Sequence, residues 1–257
     1  LSSIDNNFEL PKIEEFENLI TPKTKAILIC NPNNPTGYVY SKDEIKRLIK
    51  IVKKYNLFLI ADEVYREFTY ENTTHTSIME FDEINQNSIV VDSVSKRYSM
   101  CGARIGCIIS KNKQFINTAM KFAQARLSPP TLAQIASTAA MDTGEDYFTS
   151  IIEEYNNRRI TLIKGLKEIP GVKVSEPKGA FYCVAELPVK NSENFAKWML
   201  EEYSLNNETI MIAPAAGFYS TPNTGNNQVR IAYVLNQSNL KSCVNILKQG
   251  LTEYLEK

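Results

Sequence analysis

The amino-acid sequence predicts an α/β protein: a mainly parallel sheet with helices on both faces, followed by a smaller α+β C-terminal domain. Three observations carry this expectation. Over the first two-thirds, short apolar runs alternate with helical patterns, as strands and crossover helices do in a parallel sheet. Three polar clusters (Asn34-Pro35-Thr36-Gly37, Asp62-Glu63-Val64-Tyr65 and Ser93-Val94-Ser95-Lys96) each stand directly after an apolar run, where ligands gather in open α/β sheets. Beyond Pro170-Gly171 the pattern turns strand-rich, with one helix between strands and one at the end.

In chain order, the candidate strands of the first part are residues 25–30, 57–62, 88–93 and 105–110. A helix separates the first two: Ser41-Lys42-Asp43-Glu44 is a capping box, and Ile45, Leu48, Ile49 and Val52 form its apolar stripe. Residues 113–125 read as a second helix. A third begins after Pro129-Pro130, whose fixed φ suits a first turn, and carries Leu132, Ile135, Ala136 and Ala139. A long charged helix then spans about 146–167. Strands are expected at 172–175, 180–187, 209–213 and 228–234, with a helix at 192–203 and a terminal amphipathic helix carrying Leu240, Val244, Leu247, Leu251 and Leu255. The expected division is a first domain over residues 1–145 and a second over 146–257, joined by the long helix.

Composition narrows the function. Twenty-nine Lys plus Arg balance twenty-nine Asp plus Glu, so nothing points to nucleic acid or an anionic membrane as a partner. No apolar stretch reaches the roughly 18–20 residues that span a bilayer, and the first residues show no secretion signal. Five widely spaced cysteines read as reduced, buried thiols, which implies a cytoplasmic protein without a disulfide framework or zinc site. With His75 the single histidine, His-based triads and metal sites are not expected. The chain opens on leucine and enters a strand–helix pattern almost at once, as a piece of a longer protein would.

Several residues carry candidate chemistry beside an ordinary structural role. Asp62 follows Leu57-Phe58-Leu59-Ile60-Ala61, so its carboxylate emerges from a dry strand. There it serves as a helix cap or ion-pair partner, or it holds a proton on a ring nitrogen of a cofactor. Lys96 is either a surface amine or a Schiff-base lysine, since burial and nearby cations free an amine's lone pair. Arg104 reads as an ion-pair partner or, with serine hydroxyls nearby, as a phosphate clamp. The Asn31–Gly37 stretch is a strong turn signal whose two prolines and glycine hold the backbone close to something. Tyr65 is a core or rim aromatic. Arg230, a lone charge within Val229-Arg230-Ile231-Ala232, needs an anion: an internal carboxylate or that of a substrate.

Together these motifs resemble the class I/II pyridoxal-phosphate (PLP) aminotransferases of fold type I, the aspartate aminotransferase superfamily. The matching segments are residues 31–37, 62–65 and 93–96, with Gly102-Ala103-Arg104-Ile105-Gly106, Gly179-Ala180-Phe181-Tyr182 and Val229-Arg230-Ile231, in family order over essentially the whole chain. The resemblance implies that Lys96 forms the internal aldimine with pyridoxal 5'-phosphate and later shuttles the proton. It implies that Asp62 pairs with the pyridinium nitrogen, and that Asn34 and Tyr65 bond the cofactor's phenolic oxygen. Ser93 and Arg104 would hold the phosphate, and Arg230 the substrate α-carboxylate. The implied fold is a PLP-dependent transferase large domain, incomplete at its N-terminus, plus a small domain. The implied reaction is ping-pong transfer of an amino group from an L-amino acid, aspartate first, to a 2-oxo acid. Arg126 is a candidate by position for a distal carboxylate, or else a solvated helix end. A PLP lyase and the effector-sensing domain of a transcription regulator share the same motifs. Family members are longer, act as homodimers and place a glycine-rich phosphate turn, a ring-stacking aromatic and sheet strands before the matched region. The 257-residue chain alone is therefore expected to have little or no activity.

Overall fold

The computed structural model describes residues 2–257. In chain order its helices and strands are α1 (Ile13–Leu19), β1 (Ala26–Cys30), α2 (Lys42–Tyr55), β2 (Phe58–Asp62), β3 (Ser88–Ser93), α3 (Val94–Arg97), β4 (Gly106–Ile109), α4 (Lys113–Arg126), α5 (Thr131–Ala140) and α6 (Glu145–Lys167). There follow β5 (Lys173–Val174), β6 (Tyr182–Glu186), α7 (Ser192–Glu201), β7 (Ala213–Pro214), β8 (Gln228–Ala232) and α8 (Gln237–Glu256). The chain forms two compact units. One contains Leu10–Asn33 and Val39–Ser150; the other contains the residues through Glu9, Asn34–Tyr38 and Ile151–Lys257.

The first unit is built on a four-stranded sheet in the order β1-β2-β3-β4. The first three strands are parallel and β4 returns antiparallel to β3, giving the α/β class expected from the sequence. Helix α2 supplies the crossover from β1 to β2. Its capping box closes as the sequence predicts: Glu44 N donates to Ser41 Oγ at 3.2 Å, and Ser41 N donates to Glu44 Oε2 at 2.8 Å. Asn56 ends the helix in the left-handed region (φ 49°), where Asn is tolerated. The α2 stripe (Ile45, Leu48, Ile49, Val52) packs on Ile29, Leu59, Ala61 and Val90 of the sheet, with Ile78, Phe81 and Ile84 from two short 3₁₀ turns.

Elsewhere the apolar stripes form without cover. All four β4 residues are exposed, α4 buries none of its side chains, and Leu132 and Ile135 of α5 are 82% and 61% exposed. The periodicity of α5 is helical, as expected, but its apolar face meets no packing partner among the described residues.

The second unit carries an antiparallel sheet in the order β5-β6-β8-β7. Strand β6 is central and buried, with Cys183, Val184 and Ala185 fully enclosed. Helices α6, α7 and α8 contribute Leu162, Leu166, Phe195, Met199, Leu240 and Leu247 to the core. The strand expected at 209–213 is reduced to Ala213–Pro214. Residues 209–212 instead line an apolar cavity of about 400 Å³ with Ile231, Ala232, Leu240 and Leu247. An apolar run predicts burial on one side; only a ladder partner makes it a strand.

Two remote segments join this unit through specific bonds. Asn7 exchanges hydrogen bonds with the Glu176 backbone at 3.3 and 2.9 Å. Gly37 O accepts from Lys178 N and Gly179 N at 2.9 and 2.8 Å. Among the described residues no cysteine forms a disulfide, but Cys101 and Cys107 are exposed, where the sequence predicts buried thiols. Among the described residues, no helix is long and apolar enough to cross a membrane.

Candidate active site

Because β1, β2 and β3 are parallel, their carboxyl ends meet at one edge of the sheet; Cys30 lies opposite Asp62, and Asp62 opposite Val91. Asp62 is half-buried as β2 ends. Its Oδ1 accepts from Val64 N at 3.1 Å, so it does cap the following turn. Burial, the largest cause, raises its proton affinity above the ordinary carboxylate range. The Val64 N–H pulls the other way, Asp92 and Glu63 add to the rise, and the Lys96 ammonium opposes it. Tyr65 is buried, 3% exposed, and the Lys96 Nζ stands 5.9 Å from the centre of its ring.

Lys96 sits in α3, a single turn the sequence did not announce. Ser93 caps it: Ser93 Oγ accepts from Ser95 N at 3.1 Å and lies 2.7 Å from the Ile105 carbonyl and 2.8 Å from Ser95 Oγ. Arg104 adopts φ 55°, is exposed, and donates from Nη1 to Cys101 O at 3.1 Å. It has no carboxylate in ion-pair reach among the described residues. Ser93, Ser95, Arg104 and Arg126 line one cavity of about 610 Å³. Lys96 and Asp62 are not among its lining residues.

In the other unit, Arg230 lies in β8 opposite Val184 on one side and Ala213 on the other. Its Nη1 donates to Asn34 Oδ1 at 3.1 Å. The guanidinium carbon lies 4.9 Å from the Tyr182 ring centre and 5.4 Å from that of Phe218. The internal carboxylate that the sequence allows as its partner is absent among the described residues. The expected site residues thus form two sets: Asp62, Tyr65, Ser93, Lys96 and Arg104 in one unit, Asn34 and Arg230 in the other.

Sequence reasoning passed over a group of four charges beside Lys96: Arg66, Glu67, Asp92 and Arg97. A signal was present, since Asp92 interrupts the run Ile89-Val90-Val91 much as Arg230 interrupts its strand. Nor is His75 a loop bystander. Its Nε2 lies 3.2 Å from Glu63 Oε2, and its Nδ1 3.3 Å from Asn31 Nδ2. Glu63 also accepts from Ser77 Oγ and Ile78 N, both at 3.0 Å.

The chain resembles known proteins over almost its whole length. The family model for aminotransferase class I and II matches residues 3–247. An aspartate aminotransferase of Pyrococcus horikoshii is 32% identical over 251 residues, 96% of this chain and 61% of that protein. One from Bacillus subtilis is 31% identical over 259 residues, 97% of this chain and 63% of that protein. Among solved structures, Thermotoga maritima aspartate aminotransferase superposes with a TM-score of 0.85 at 29% identity, covering 98% of this chain and 62% of the other. An aromatic aminotransferase from Pyrococcus horikoshii OT3 gives 0.84 at 27% identity, covering 98% and 66%. The chain belongs to the class I and II aminotransferase family, whose aspartate aminotransferase-type members use pyridoxal 5'-phosphate. It spans a little over three-fifths of the length of the curated relatives it matches.

The residues present fit that cofactor chemically. A half-buried carboxylate whose ionised form is disfavoured by burial would gain from a cationic ring N–H as its partner. Two serines and an arginine around one cavity suit a phosphate dianion. An amine over an aromatic face at a strand end suits an aldehyde.

Proposed function

We propose that the protein is a PLP-dependent aminotransferase moving an amino group from an L-amino acid to a 2-oxo acid in two half-reactions. The reading is carried by the Lys96 amine over Tyr65, beside a carboxyl, Asp62, whose affinity for a proton is raised. The cofactor, when bound, supplies the electron sink for proton loss at the amino acid's α-carbon. Lys96 holds the aldehyde end and moves that proton. Asp62 keeps a proton on the ring nitrogen. Asn34 and Tyr65 bond the phenolic oxygen, and Ser93 and Arg104 hold the phosphate.

Arg230 takes the substrate α-carboxylate. Its support is a guanidinium that, among the described residues, meets an amide oxygen and two rings but no carboxylate. Aspartate is the first donor, from the names of the relatives. Arg126, in the cavity with Ser93 and Arg104, is the candidate for its distal carboxylate. The partners are thus an amino acid and a 2-oxo acid, in a cytoplasmic homodimer at full length. The uncovered faces of α4 and α5 offer surface for a second subunit. The assigned domains are a partial large domain over residues 1–145 and a small one over 146–257. Residues 1–257 by themselves turn over little, because they match only part of the relatives' length.

The test is to supply the full-length protein with pyridoxal phosphate, aspartate and 2-oxoglutarate and to follow glutamate. Glutamate formation that Lys96→Ala abolishes is expected. Elimination products without glutamate would make the protein a lyase, and neither reaction would sink the enzymatic reading.

A further inference from the structure

Helix α3 is one turn of four residues, too short to hold its shape without tertiary ties. Its last residue supplies the strongest of them. Arg97 Nη2 donates to Asp92 Oδ2 at 2.8 Å, and Arg97 Nε lies 2.9 Å from Glu67 Oε1, a charge contact misaligned for a hydrogen bond. Arg66 closes the group, donating from Nε to Glu67 Oε1 at 3.0 Å and placing Nη1 3.5 Å from Asp92 Oδ2. Asp92 in turn accepts from Ser93 N at 2.7 Å. The Asp92 and Arg97 side chains are 7% and 13% exposed, so these are not solvated surface pairs.

Two successive residues of α3 therefore grip the loop that follows β2. Lys96 faces the Tyr65 ring at 5.9 Å, and Arg97 faces Glu67 at 2.9 Å. We propose that Arg97 is a positioning residue for the Lys96 amine: its guanidinium fork, spread over Asp92 and Glu67, fixes the α3 turn against the Tyr65 loop. Burial pulls the Arg97 guanidinium toward neutrality, but Glu67 and Asp92 outweigh it and hold the cation above its ordinary range. With one partner removed, a half-buried charge is left uncompensated and the turn must shift to reach water. A lysine at position 97 keeps the charge but cannot bridge both carboxylates, because it offers one compact ammonium in place of a planar fork. The inference rests on Lys96 being the residue that takes the aldehyde.

The experiment incubates the full-length protein with pyridoxal 5'-phosphate, reduces it with borohydride, and quantifies the pyridoxyl group on the Lys96 peptide against the other lysines. Wild type, Arg97→Met, Arg97→Lys, Glu67→Gln and the Arg97→Met/Glu67→Gln double variant are compared well below each unfolding midpoint. Wild type should label Lys96 selectively. Arg97→Met should lose roughly tenfold to a hundredfold in Lys96 labelling, with the other lysines unchanged. Arg97→Lys should fall between, and the double variant should be no worse than Arg97→Met. The visible circular dichroism of the bound cofactor should weaken in the same order. If Arg97→Met does not fold, Glu67→Gln carries the same expectation of selective loss. Labelling of Lys96 at the wild-type rate in a folded variant overturns the positioning role and leaves the aminotransferase reading standing; so does a parallel loss at all lysines. Absence of selective Lys96 labelling in wild type overturns both.

Discussion

Arg230 and Asn34 are 196 residues apart in the chain, yet the guanidinium donates to the Asn34 amide oxygen at 3.1 Å. The same guanidinium lies against Tyr182 and Phe218. Asn34 orients it without neutralising it, which leaves the remaining N–H donors for an anion. A buried or half-buried arginine usually meets a carboxylate. Among the described residues this one meets none, which is what supports the proposal that a substrate carboxylate is its partner.

Replacing Arg230 by Gln removes a charge-assisted contact of about 1.5–3 kcal/mol, or roughly 10- to 100-fold in binding. The loss should fall on KM for the amino acid more than on kcat, because the α-carboxylate is held alike in ground and transition states. Steady-state kinetics with aspartate check this; an unchanged KM would remove Arg230 from the substrate site.

Asp62→Asn should separate stability from function. The folded-state proton affinity of Asp62 is raised, so its neutral form contributes stability that is fully present below the unfolded value of 3.8 and lost as pH rises through the folded value. Above that folded value the ionised carboxylate is a cost in the cofactor-free protein. Asp62→Asn should therefore unfold at a higher temperature than wild type near pH 7, with the gap closing toward pH 3, while activity is lost. Melting curves without added cofactor across that range give the answer, and a gap independent of pH would contradict it.

Gly37→Ala should be among the most damaging single-methyl changes. Gly37 has φ 71°, and a Cβ there would overlap Pro177 Cβ and stand 2.8 Å from Tyr182 O and 2.9 Å from Gly179 O. Left-handed strain together with the overlap costs about 3 kcal/mol. Denaturant unfolding measures the loss; a cost under about 1 kcal/mol would mean that the Asn34–Tyr38 segment can lift away from its docking site.

Ser41→Ala tests the α2 cap. The hydroxyl accepts from Glu44 N and donates to Glu44 Oε2, which also accepts from Ser41 N. Loss of the cap should cost about 1 kcal/mol, read as a shift in urea midpoint at constant m value.

The order and type of most elements were legible in the sequence because apolar periodicity and caps are local. The capping box at Ser41, the stripe Ile45–Leu48–Ile49–Val52 and the strand ending at Asp62 needed no knowledge of distant residues. So did the site motifs, since a polar cluster after a buried strand marks the carboxyl edge of a parallel sheet wherever the strand lies. Misreadings arose where structure depends on what lies alongside. Residues 209–212 have a strand's apolar character but no ladder partner. The helix expected after Pro129-Pro130 does form, although among the described residues its Leu132 and Ile135 stay exposed.

The sequence by itself determined the α/β class, the strand end that carries Asp62, the placement of Lys96 just after another strand, and membership of the aminotransferase family. Only the tertiary structure decided that Asn34 meets Arg230, that residues 34–38 dock on Pro177–Gly179 and Tyr182, and that Arg97 is held by Asp92 and Glu67. The reason is range. Caps and periodicity act over a few residues of backbone, whereas an ion pair or a close backbone approach forms between any two segments that packing brings together, and one chain read in order does not say which.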